Sequence, residues 1–174
     1  GLIKAASGGA WATISNTTLS GAESLVEFDT SGAYKVFAIH MSGVRGASEN
    51  QTKILMKRTT YDTSGYFQVA RWEGTASGTT YSGNSTTSGS HILTGNTFPS
   101  SADIALSGSI YIYNPSNTDA YTYINGWASG EDNTNFYASH FSGRNNDAGA
   151  VTAVKYLFTS GDIAAGNFVF AGLT

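Results

Sequence analysis

The segment VTAVKYLFTSGDIAAGNFVFAGL, residues 151–173, constrains the fold more than any other part of the chain. Val154, Tyr156 and Phe158 share one face of an extended run, and Ala153, Lys155 and Leu157 share the other. Ser160-Gly161-Asp162 then supplies a turn, and Phe168 and Phe170 alternate with Val169 in a second run. Period-2 alternation on both sides of a turn specifies paired strands, with Phe168 and Phe170 directed to a core.

The same pattern recurs upstream. Trp11 to Ile14, Leu25 to Phe28, Tyr34 to Met41, Lys53 to Arg58 and Tyr66 to Trp72 read as strands. So do Ile104 to Leu106, Ser109 to Tyr113, Tyr121 to Trp127 and Phe136 to Phe141. No stretch places apolar residues at i, i+3, i+4 and i+7 over a helical length. About ten short strands separated by Gly/Ser/Asn turns predict an all-β fold, an antiparallel β-sandwich of jelly-roll-like form. One domain over 1–174 is expected, with 1–20 as an N-terminal arm and 74–102 as a long surface loop holding a short strand at His91-Ile92-Leu93. Ala128 to Asn135 and Ser142 to Gly149 are read as further loops.

The strand 34–41 is apolar on both sides, with Val36 and Ala38 on one and Phe37, Ile39 and Met41 on the other. A sheet with one wet face leaves such a strand uncovered, so a second layer, the N-terminal arm or another subunit must pack on it.

Charged residues make up 12% of the 174-residue chain, against about 25% in ordinary globular proteins. With a net charge of -3, the chain lacks the Lys/Arg excess that phosphate binding needs, so no nucleic-acid partner is expected. Lys53, Lys57 and Arg58 read as a solvated strand edge. Cysteine is absent, which excludes disulfides and thiolate metal sites. No run of eighteen apolar residues occurs, so no membrane-spanning helix is expected.

Motifs for chemistry are missing. His40, His91 and His140 have no metal-ligand spacing, and neither a Gly-x-Ser-x-Gly elbow nor a phosphate-binding Gly-rich loop occurs. Glu131 and Asp132 are consecutive, so on an extended segment their side chains diverge and cannot straddle one bond. The chain is expected to be no enzyme and to need no metal or organic cofactor. Ligand-binding candidates are Trp127, Tyr81 and Tyr137, whose rings can stack on sugars. If Ile110, Ile112 and Ile124 point to the core, then Tyr111, Tyr113, Tyr121 and Tyr123 point away from it. These four are candidates for an oligomer interface.

Three segments carry a resemblance: YKVFAIHMSGV at 34–44, GSIYIYNPSN at 108–117 and KYLFTSGDIAAGNFVFAGL at 155–173. They resemble the small β-sandwich domains of tailed-bacteriophage virions, found in tail fibres, tail appendages and head decorations. The resemblance implies an exposed fibre or appendage domain that recognises a host-surface glycan or protein, on a virion surface assembled in the host cytoplasm. Head decoration and, third, polysaccharide cleavage are the alternatives. It also implies a homotrimer and contacts with other virion proteins. Such domains often carry an Asp-Gly-Gly turn where this chain has Tyr61-Asp62-Thr63-Ser64-Gly65, so no ligand role transfers to that turn.

Overall fold

The computed structural model describes residues 9–48, 50–75, 78–88, 91–92, 105–131 and 135–174, with the backbone alone for 78–88 and 91–92. Two antiparallel sheets pack as a β-sandwich, and the described residues contain no helix. The larger sheet contains β1 (Trp11–Leu19), β3 (Val36–Gly46), β5 (Tyr66–Gly74), β6 (Gly78–Ser88), β8 (Leu106–Tyr113), β9 (Tyr123–Glu131), β10 (Phe136–Asn145) and β12 (Ile163–Leu173). The smaller contains β2 (Val26–Asp29), β4 (Thr52–Lys57), β7 (His91–Ile92) and β11 (Ala153–Phe158). Their spatial orders are β1-β12-β3-β8-β9-β10-β5-β6 and β2-β11-β4-β7.

The core lies between the sheets and is aromatic at its centre. Phe168 and Phe170 are buried there, as the alternation in the closing segment requires. Phe37 stacks on Phe170 with centroids 5.2 Å apart, Phe28 lies 5.2 Å from Phe170, and Tyr156 lies 5.3 Å from Phe168. Ile110, Ile112 and Ile124 are buried on the same inner face.

Four expected boundaries need correction. The first concerns the arm, because residues 11–19 pair with β12 along their length, with one irregularity between Thr13 and Ser15. WATISNTTL lacks apolar alternation because an edge strand has a single neighbour, and its ladder is backbone hydrogen bonding, which is blind to side-chain polarity.

Secondly, the loop at 74–102 contains an eleven-residue strand, β6, paired with β5 at the sheet edge. The remainder of that loop, apart from Gly74, Thr75 and the β7 pair His91–Ile92, falls outside the described residues.

Thirdly, residues 106–113 form one strand running through Gly108, where two had been expected. Gly108 is no break. A Cβ there would lie 2.3 Å from the Trp127 carbonyl oxygen, so close approach of β9 demands glycine.

Lastly, β9 runs on to Glu131 and β10 to Asn145, so much of both expected loops is strand. Ser and Gly replace apolar residues there, which hides the alternation.

The double-sided strand β3 is explained within the chain. Phe37, Ile39 and Met41 face the core, while Ala38 is fully buried on the opposite side. Ala38 pairs with Ala171 and with Tyr111. Over these alanines Trp11 and Tyr111 lean together, with ring centroids 6.2 Å apart. The first strand supplies the cover that the sequence called for.

Candidate functional site

The outer face of the larger sheet, turned away from the core, collects nearly all the exposed aromatic surface. Register fixes its rows. One runs Leu173, Val36, Tyr113, Tyr123, Arg144, Phe67. The next runs Ala171, Ala38, Tyr111, Asn125, Ser142, Val69, and a third Val169, His40, Ser109, Trp127, His140, Arg71. Among the described residues the exposed large apolar side chains are Trp11, Ile14, Val69, Tyr123, Trp127 and Phe136, and all but Ile14 occupy this face.

The face has two characters. Over β1, β12, β3 and β8 it carries apolar side chains, and Val36, Tyr111, Tyr113, Val169 and Leu173 are half-buried there. His40 closes that half, with Nδ1 2.8 Å from Ser109 Oγ and its ring edge-on to Tyr111. Over β9, β10 and β5 it is more polar and more open. Trp127 is 43% exposed there, set between Ser109 and His140, and Arg71 pairs with Glu73 at the margin.

Within the open half lies a depression of about 270 Å³, walled by Phe67, Val69, Tyr123, Ser142 and Arg144. Arg144 is central. Its guanidinium packs 4.6 Å from the Phe67 ring centroid and 4.2 Å from that of Tyr121, while Nη1 donates to Asn146 Oδ1 at 3.1 Å. No carboxylate among the described residues lies within ion-pair distance of it. A guanidinium packed on two rings has lost most of its rotamer freedom before any ligand arrives.

Several other basic residues are already engaged. On the outer face of the smaller sheet the Tyr61 ring receives Lys155 Nζ at 3.8 Å from its centroid and Lys57 Nζ at 5.5 Å. The Tyr61 hydroxyl donates to Glu27, which also pairs with Lys57 at 3.6 Å. Burial, then Lys53, lowers the Lys155 ammonium below its ordinary range, while burial and Glu27 push the Tyr61 hydroxyl up. Arg58, expected at a solvated edge, is instead largely buried. It pairs with Asp62 and donates to the Gly149 and Asp147 carbonyls, tying two loops together.

The seven residues singled out from sequence scatter less than their numbering suggests. Tyr111, Tyr113, Tyr123 and Trp127 share the outer face, and Tyr121 joins them by packing on Arg144. Tyr113 also donates to Asn125 Oδ1 at 3.2 Å. Tyr137 does not join them. It sits between Gly74 and Gly130 on the inner side of β10, the parity of buried Ser139 and Phe141. Tyr81 has its backbone opposite Arg71, and its side chain lies outside the described residues.

Arg144, Phe67 and Val69 were missed. Arg144 falls in SGRNNDAG, which reads as a loop, and nothing in the sequence pairs it with Phe67.

Among the described residues no three His, Asp or Glu side chains gather as metal ligands, and no helix is long and apolar enough to cross a membrane. Glu131 is exposed at the end of β9, and Asp132 lies outside the described residues. Comparison with protein-family models, curated proteins and solved structures finds no match.

Proposed function

We propose that this chain is a non-enzymatic structural domain of a bacteriophage virion, an exposed tail-fibre or appendage domain that recognises a host-surface glycan. Support comes from the three resembling segments and from the open half of the sheet face. The exposed Trp127 ring carries the reading: it shares a cross-strand row with Ser109, His140 and, beyond His140, Arg71, whose polar groups suit sugar hydroxyls. Binding of the purified chain to an array of bacterial surface polysaccharides tests this. Trp127→Ala is expected to abolish the binding with an unchanged β signal in circular dichroism. Binding that survives Trp127→Ala, or shortened polysaccharide chains after incubation, counts against it.

The apolar half, with Tyr111 and Tyr113 at its centre, suits a subunit contact, and the phage resemblance makes three-fold assembly the proposal. Aromatic surface that is half-covered within one chain is the kind that interfaces complete. Light scattering at micromolar concentration should return a trimeric mass, and Tyr111→Asp should return a monomer. A monomeric parent refutes the assembly. That half also favours a second reading, a head decoration seated on the shell by its flat apolar strip. An image of labelled virions separates tail from head.

A further inference from the structure

We infer that the depression around Arg144 is a binding site for a carboxylate-bearing sugar, with the carboxylate on the Arg144 guanidinium and the sugar ring against Tyr123 and Phe67. This deepens the glycan-recognition proposal and rests on it.

Charge complementarity comes first. Arg144 is a permanent cation with five N–H donors, of which one bond, to Asn146, is formed within the described residues. It has no carboxylate partner there. A carboxylate meets a guanidinium through two parallel hydrogen bonds, and that geometry rewards a fork held in place. Packing against Phe67 and Tyr121 holds it. No chemistry is required of the site; it binds.

Shape and lining narrow the ligand further. The depression, about 270 Å³, is smaller than the roughly 300 to 1,000 Å³ of sites for drug-sized molecules. Its walls are mainly apolar, with Val69, Phe67 and Tyr123 beside Ser142 and Arg144. Sugars present C–H faces and hydroxyls that fit such a lining.

Position argues against an extended peptide as the occupant. The depression lies over β9, β10 and β5, each flanked by strands on both sides. Apart from a register irregularity between Tyr66 and Gln68 in the β5–β6 pairing, their backbones run in continuous ladders, and peptide capture by strand addition needs a free edge.

The test uses the full chain and isothermal titration with four probes: a glucuronic acid disaccharide, the matching glucose disaccharide, inorganic phosphate and a tripeptide with a free carboxylate. The acidic disaccharide is expected to bind, and the neutral one to bind at least about tenfold more weakly, as fits loss of a charge-assisted pair. Arg144→Gln should weaken the acidic sugar about tenfold or more and the neutral one by clearly less. Arg144→Lys should recover part of the loss, because a point charge lacks the planar fork. Tyr123→Ala, which leaves the cation in place, should weaken both sugars.

Acidic-sugar affinity that is indifferent to Arg144→Gln overturns the inference, as does phosphate or the tripeptide binding as tightly as the sugar. Trp127-dependent binding of a neutral surface polysaccharide, with no response to the acidic probe, refutes this site and leaves the glycan-recognition proposal standing. Acidic-sugar binding at Arg144 with no binding to any surface polysaccharide does the reverse.

Discussion

Phe168→Ala is the sharpest test of how this chain is held together. The side chain is fully buried between the sheets, 6.1 Å from the Phe28 ring centroid and 5.3 Å from that of Tyr156. Truncation removes roughly 100 to 150 Å² of buried apolar surface, about 2.5 to 4 kcal/mol at 25 cal/mol per Å². Two lost ring contacts add about 0.5 to 1.5 kcal/mol each. Partial collapse of the cavity offsets some of this, which places the cost within the usual range of about 3 to 5 kcal/mol. For a chain of this length each kcal/mol lowers the melting temperature by about 2 to 4 °C, so a fall of about 6 to 20 °C is expected. Thermal and urea unfolding followed by circular dichroism measure it. The neighbouring Val169, half-buried on the outer face between Asn16 and His40, is the comparison, and Val169→Ser should cost less than Phe168→Ala, about 1 to 2 kcal/mol. Phe168→Ala melting within about 2 °C of the parent, or Val169→Ser costing more, would show the faces of β12 to be inverted.

Gly126→Ala should destabilise by about 1 to 3 kcal/mol in urea unfolding, because its Cβ would lie 2.2 Å from the Ser109 carbonyl oxygen and 2.7 Å from the Phe141 ring. Thr122 is fully buried and its hydroxyl has no hydrogen-bond partner among the described residues, so Thr122→Val should stabilise by about 1 kcal/mol, read as a higher urea midpoint. Burial raises the Asp62 carboxyl above its ordinary 3.8, outweighing the lowering effect of Arg58. The folded chain therefore holds that proton more tightly than the unfolded one, and the associated stability is full below pH 3.8 and drains as pH rises through the raised value. Asp62→Asn should flatten stability against pH above 3.8, and an unchanged slope would assign the effect elsewhere.

Sequence alternation located the strands that bury a face. β3, β11 and β12, and the end of β8 from Ser109, carry large apolar residues at every second position, and the structure places those residues in the core. It found only the start of β1, at Trp11 to Ile14, and missed β6, because a sheet edge accepts Ser, Thr and Asn while the backbone ladder does the pairing. Nor could it extend β9 and β10, since Ala128, Gly130 and Gly143 occupy inner positions where a large side chain would otherwise mark the strand. Of the candidate site, Trp127 was legible as a lone aromatic among polar residues. Tyr137 was misplaced by parity alone. Trp127 pairs with His140, three residues on from Tyr137, so the two rings fall on opposite sides of the sheet.

Arg144 depends on the core in the same way. Its side of the sheet is decided by the residues flanking it in β10, Phe141 beneath Gly126 and Asn145 beyond. Asn145 is fully buried, where its Nδ2 donates to the Ser64 carbonyl at 3.2 Å and its Oδ1 accepts from Asp147 N–H at 2.9 Å. A one-residue slip would expose Phe141 and Asn145 and drive the guanidinium inward, where an unpaired charge is far costlier than any gain in pairing. The register that satisfies the core therefore also sets Tyr123, Arg144 and Phe67 side by side on three strands. Crowding at Gly126 presses on Phe141 and hence on the same register. Gly126→Ala should accordingly weaken ligand binding at Arg144 as well as stability, although Gly126 lies on the opposite side of the sheet.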